Sequence, residues 1–277
     1  MKRMTPPLCV LLSVCGCVFG QAVPADGIGA EGAVPGEIVD VERVPLADVY
    51  EPRELLGFGL MVSREFASER PELLDRLLLQ LEADLDEVVH LLPEPALAAV
   101  RRTTIWVELR GAVNSGMSGR GMCCHWSADW LESVGLPREK AGGVEILNPD
   151  DFLAWRRTQP YMVLHELAHA YHRMLGPDAP EIVGAYEAAM EAGLYDEVAR
   201  NSVAAEKTVR AYAASNHHEY FAELTEAYFA LNDFAPYTRT QLAAVDPEGL
   251  AMVERLWTLP AEEIAARIEA AGMLSGR

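Results

Sequence analysis

Cysteine is scarce and poorly placed for cross-linking. Five occur, and Cys9, Cys15 and Cys17 all fall within the first 20 residues. The other two, Cys123 and Cys124, are adjacent, and neighbouring cysteines rarely bridge because the ring they close is strained. A disulfide-framed domain is therefore excluded. Basic residues are also few: 23 Lys and Arg stand against 42 Asp and Glu, a formal charge of −19. Such a surface repels nucleic acid and anionic lipid. Beyond the leader no apolar run is long enough to cross a bilayer, so no integral membrane span is expected. Histidine is rare too, with seven in 277 residues, and most of them cluster.

The leader opens with Lys2 and Arg3, continues as the apolar run Leu8 to Phe19, and offers small residues around Val18-Phe19-Gly20. It reads as a signal peptide over residues 1–20. A second cut in Val14-Cys15-Gly16-Cys17 would leave Cys17 as a lipid anchor. Either implies export, to a secreted or periplasmic location. Removing the leader takes Lys2 and Arg3 with it and deepens the negative charge. Residues 21–40, rich in Ala, Gly, Pro and Val, read as a flexible linker. Residues 41–277 have single-domain length and enough apolar content for a sizeable core.

Within that domain Gly57 to Val62 reads as a strand. Pro71 to Leu92 reads as a helix, with Leu74, Leu77, Leu78, Leu81, Leu85, Val88 and Val89 at helical spacing. Thr103 to Leu109 alternates as a strand does. Gly111, Gly116, Gly119 and Gly121 punctuate a loop, and no Gly-Lys-Ser/Thr follows to make it a phosphate cradle. His125, close behind, reads as a loop histidine. Ser127 to Val134 suits a short helix with Trp130 and Leu131 buried, and Gly143 to Leu147 a short strand that could offer an edge to an extended peptide. After residue 150 the pattern is almost wholly helical. The expected class is α+β, predominantly helical, with a small sheet over one central helix.

That helix carries His165-Glu166-Leu167-Ala168-His169. In a helix, residues four apart lie about 40° apart around the axis and one turn along it. Two imidazoles so placed can share a metal ion, and Glu166, at the edge of that face, can reach a water held by the ion without ligating it. Pro160 suits a helix start, Gly176-Pro177 a stop. Leu164, Leu167, Ala168, Tyr171 and Leu175 form an apolar stripe away from the histidines. A surface helix with two coincidental histidines is the plain alternative.

Catalytic metal sites usually take three protein ligands. His172 lies about 10 Å along the axis from His165, too far to join both histidines on one ion, and reads as a supporting or surface histidine. The metzincin extension needs glycine at 172 and histidine at 175; the chain has His172 and Leu175. The glutamates Glu181, Glu187, Glu191, Glu206, Glu219, Glu223 and Glu226 remain. Asn216 can cap a helix in which Glu219 and Glu223 share a face and Phe221, Leu224, Tyr228 and Leu231 supply a buried side. From spacing alone, Glu219 as ligand and Glu219, Glu223 and Glu226 as a solvated stripe are about evenly matched. His217 and His218 read as polar residues at the helix start. A block of the metal by Cys123 or Cys124 is conceivable, an ordinary thiol the plainer reading.

The motif at 165–169, followed by Tyr212 and Glu219-Tyr220-Phe221-Ala222-Glu223, resembles the catalytic domain of the anthrax lethal-factor type of secreted zinc peptidase. The resemblance covers residues 160–231 and little else. It implies a zincin-like metallopeptidase domain, Zn2+ on His165, His169 and Glu219, Glu166 as general base, Tyr212 as hydroxyl donor to the reacting oxyanion and Glu223 as a carboxylate supporting a ligand. The toxin's delivery and docking regions have no counterpart, so only a peptide or protein substrate in general is implied. Two other functions use the same residues: a metal-dependent amidase acting on a cell-wall or other non-protein amide, and a non-catalytic envelope protein retaining the fold. An intact Glu166 and Tyr212 speak against the last.

Overall fold

In the computed structural model, which describes residues 44–111, 121–200 and 208–272, a first turn of helix (α1, Leu46–Val49) leads into a hairpin of β1 (Tyr50–Leu55) and β2 (Phe58–Ser63). The two strands are joined by Leu56 and Gly57, both at positive φ. That backbone twist matches the flanking strands, and glycine adopts it at no steric cost. The Leu56 carbonyl is held by Arg101 Nε at 3.1 Å. Helices α2 (Arg64–Glu69), α3 (Pro71–Leu91) and α4 (Glu94–Val100) then cross over to β3 (Ile105–Val107), which runs parallel to β2. β4 (Met122–Cys124) and α5 (Ala128–Ser133) precede β5 (Val144–Ile146). The sheet order is β1-β2-β3-β5-β4, with β5 parallel to β3 and antiparallel to β4.

Helices follow: α6 (Pro149–Trp155), α7 (Met162–Leu175), α8 (Pro180–Glu191), α9 (His217–Phe229), α10 (Arg239–Val245), α11 (Pro247–Trp257) and α12 (Ala261–Ala270). The fold is thus α+β, mostly helical with one small mixed sheet. No helix among the described residues is long and apolar enough to cross a membrane. The expected signal peptide (1–20), linker (21–40), Cys17 anchor, Gly116, Gly119 and Glu206 lie outside the described residues.

Strand alternation divides the sheet. Ile105, Val107, Met122, Val144 and Ile146 join the main core, where the Leu74, Leu77, Leu81 and Leu85 row of α3 and the apolar side of α7 also lie. Trp106, Cys123 and Glu145, one residue out of phase, do not. Central to the packing is α7, which contacts α9, α3, α4, α12, β4 and β5.

Three sequence expectations change, and one strand forms that the sequence did not signal. The strand at 143–147 is internal, hydrogen-bonded to β3 and β5's other neighbour β4, so the edge belongs to β4. Trp130 is 37 % exposed while Leu131 is fully buried, because one turn of α5 presents only one side to the core. Leu231 is likewise 37 % exposed, since α9 ends at Phe229 before reaching it. β1 carries charged residues and Pro52 and shows no apolar alternation, and it forms as the outer strand of a hairpin, where proline is tolerated.

Candidate metal centre

Twelve of the fourteen residues of α7 are buried. The two exceptions are Glu166 and Arg173, so Glu166 alone of the motif's polar residues keeps open space beside it. The polar face of α7 is not a solvated one: His165, His169 and His172 are all buried. Gly176, at φ 115°, ends the helix in a conformation side chains rarely adopt.

Across from this face stands the first turn of α9. The Asn216 carboxamide oxygen accepts from the His218 and Glu219 backbone amides at 2.9 and 3.0 Å. That cap fixes where the helix begins and therefore where Glu219 points. His165 Nε2 and His169 Nε2 each lie 3.1 Å from Glu219 Oε2. The other carboxylate oxygen, Oε1, accepts the Tyr212 hydroxyl at 2.9 Å. Tyr212 itself sits in a 3-10 turn, Tyr212–Ala214, that leads into the cap.

These donors fit a metal ion. One ligand atom from each of His165, His169 and Glu219 lies within 4.8 Å of the others. A tetrahedral ion with ligands at about 2.0–2.1 Å keeps them about 3.3 Å apart, close to the spacing found. The imidazole rings of His165 and His169 stand 4.8 Å apart and nearly perpendicular. Burial alone would raise the Glu219 carboxyl, but His169 and His165 outweigh it and hold Glu219 well below the ordinary carboxylate range. Burial would lower His165, yet its hydrogen bonds to Glu219 and Glu226 raise it well above the ordinary histidine value.

Behind His165 the geometry departs from the expected arrangement. His165 Nδ1 donates to Glu226 Oε1 at 2.7 Å, and Gln159 Nε2 donates to the same oxygen at 3.1 Å. Glu223 Oε1 is 3.9 Å from that nitrogen, outside hydrogen-bond range. The carboxylate that orients the ring is therefore Glu226, not Glu223. Burial, with Asp233 and Glu226 close by, pushes the Glu223 carboxyl well above the ordinary carboxylate range. Burial and Glu226 likewise raise Asp233, to about 6.

Other expectations are corrected by burial. His172, expected as a supporting or surface histidine, is wholly enclosed, and it lies beside His217 and His218 rather than on the His165 site. His125 is no loop histidine. It is buried, with Nε2 2.5 Å from Glu145 Oε2. Glu145 also pairs with Lys140 Nζ at 3.0 Å, and Lys140 with Glu108 at 2.7 Å. Glu108 accepts the Tyr50 hydroxyl. This network occupies the sheet face turned away from α7. Neither cysteine joins a group that could hold a metal among the described residues. Cys124 lies near the site, and burial, with Glu166 and Glu219 adding to it, pushes its thiol far up.

Against known protein families, curated proteins and solved structures, the chain has no match. The site therefore rests on its own chemistry: buried histidine and glutamate groups that could hold a metal ion. Glu226 was within reach of sequence reasoning. It lies seven residues, two turns, beyond Glu219, on the side that faces α7. Gln159 carried no signal, because it precedes α7 and meets Glu226 only through the tertiary fold.

Proposed function

We propose that this chain is a zinc-dependent, zincin-like peptidase that hydrolyses peptide bonds in an extended peptide or protein segment. The observation that carries the reading is the meeting of His165 Nε2 and His169 Nε2 on one oxygen of Glu219, each at 3.1 Å, with Tyr212 on the other oxygen. His165, His169 and Glu219 would hold the ion. Zinc there would supply a Lewis acid able to activate a water near neutral pH. Glu166, the motif residue left open, takes the proton from the attacking water and passes it to the nitrogen of the leaving amine. The Tyr212 hydroxyl donates a hydrogen bond to the oxyanion as the carbonyl carbon becomes tetrahedral. The Nδ1–H of His165, committed to Glu226, leaves Nε2 as the ligating nitrogen, and the buried carboxylate keeps the ring from turning. β4, an edge strand packed against α7, offers backbone groups to an extended peptide.

Export is part of the proposal: the residues 1–20 leader is cut and the enzyme acts in a secreted or periplasmic compartment, anchored at Cys17 if the lipoprotein cut is used. N-terminal sequencing of the mature protein separates the two cuts.

Glu166→Gln tests the chemistry. Peptide libraries incubated with the wild-type chain should show new cleavage products that the Glu166→Gln chain does not make, while both bind one equivalent of zinc at this site. Turnover retained by Glu166→Gln removes the base assignment. Cleavage of cell-wall amides, with peptides left intact, moves the substrate class to the amidase reading.

A further inference from the structure

Histidine is rare in this chain, yet five of the seven enter two adjacent groups, and the His165 centre uses only two. His172 closes the last turn of α7, and His217 and His218 open α9. One nitrogen from each of the three lies within 4.8 Å of the others. His172 is fully buried and neither of its ring nitrogens has a hydrogen-bond partner; His218 Nε2 is buried and unpartnered as well. A neutral imidazole carries one N–H donor and one lone-pair acceptor, and leaving both unmatched in the interior is costly. The Pro177 carbonyl, in the turn after α7, faces the same space. It accepts from His217 Nε2 at 3.1 Å and lies close to His172 and His218. Trp126 closes the wall, stacked on His218 at 4.0 Å and edge-on to His172 at 5.5 Å.

We propose that His172, His217 and His218 form a second metal site, distinct from His165, His169 and Glu219, that takes a divalent transition metal such as zinc, with the Pro177 carbonyl as its oxygen neighbour. Three imidazoles suit zinc, nickel or copper; calcium and magnesium prefer oxygen sets. The site is structural. It joins the end of α7, the turn at Pro177 and the first turn of α9, and Glu219 is the very next residue after His218. An ion there fastens the start of α9 to α7 and so fixes the carboxylate of the neighbouring centre. This inference does not depend on hydrolysis.

Equilibrium dialysis of the full chain against zinc, with the metal counted by elemental mass spectrometry, tests it. The wild-type chain should bind two ions. His217→Ala with His218→Phe, which keeps a ring stacked on Trp126, should bind one, with the affinity of the lost site reduced at least about 100-fold. His169→Asn with Glu219→Gln should also bind one, and Co2+ loaded into that variant should show the visible bands of a nitrogen-rich tetrahedral site. The chain with all four substitutions should show neither. Circular dichroism on each variant confirms the fold. If the His217/His218 variant binds as many ions as the wild-type chain, the second site is overturned while the proposed peptidase centre stands. If only the His169/Glu219 variant binds as many as the wild-type chain, the second site holds and the peptidase centre falls.

Discussion

His165 is held at both nitrogens: Nε2 faces Glu219 and Nδ1 donates to Glu226. A carboxylate behind a ligating histidine sets its tautomer and raises its basicity. Glu226→Gln should therefore weaken metal binding about 10–100-fold, read by competition with a chromophoric chelator. Glu223→Gln should leave that affinity nearly unchanged, because Glu223 lies 3.9 Å from His165 Nδ1, outside hydrogen-bond range. Equal losses from the two would return the supporting role to Glu223. Tyr212→Phe should lower turnover about 10²–10³-fold with zinc still bound; an unaltered rate would leave the hydroxyl as a mere partner of Glu219. At this scale the sequence showed the histidine pair and Glu166 directly, since their spacing is a property of one helix. Glu226 was only one of seven glutamates, because burial and partner, not spacing, set it apart.

At the scale of elements, the site depends on where α9 starts. Asn216 accepts from two backbone amides, one of them that of Glu219. Asn216→Ala should cost about 1 kcal/mol of stability, measured by urea unfolding of the metal-free chain, and should weaken metal binding because Glu219 loses its fixed approach. A loss of stability with metal affinity intact would show that α7 alone positions the carboxylate. Long elements were legible: the apolar row of α3 from Leu74 to Val89 repeats over about four turns, and the motif helix ends where Gly176 requires. Of the three-residue strands, β3 and β5 fall within the stretches read as strands, 103–109 and 143–147, while β4 carried no such pattern. Which of them forms the edge depends on pairing order, which no single strand records. Trp130 faces solvent for a similar reason: one turn of helix carries too little pattern to say which large residue turns inward.

Across the whole molecule, two buried polar regions flank the sheet and helix layers, and they respond differently to conditions. On the far face of the sheet Glu145 is fully buried between His125 and Lys140. Burial works to raise its carboxyl, but the His125 hydrogen bond and Lys140 outweigh it and hold it below its ordinary value of 4.5. The folded state thus binds this proton less readily than the unfolded chain does. The stability it contributes is complete above about pH 4.5 and is lost as pH falls through the lower folded value. Glu145→Gln should flatten the acid side of the stability curve and, by leaving Lys140 with only Glu108, lower stability at neutral pH by about 3–5 kcal/mol. An unchanged acid limb in denaturant titrations would place the acid sensitivity elsewhere. An ion bound by His165, His169 and Glu219, as proposed, would clasp α7 to α9, so chelation should lower the melting temperature and zinc should restore it; a melting temperature indifferent to both would argue against any bound ion. The amino-acid order by itself determined the acidic surface, the lack of a spanning helix among the described residues, the α+β class and the histidine pair with its glutamate, because each is a sum over residues or a repeat within one element. Only tertiary structure decided which carboxylate meets the pair, 50 and 54 residues downstream of it, and which histidines crowd around Pro177. Those choices follow from how the apolar sides of α7 and α9 pack together, and packing between distant segments leaves no periodic trace along the chain.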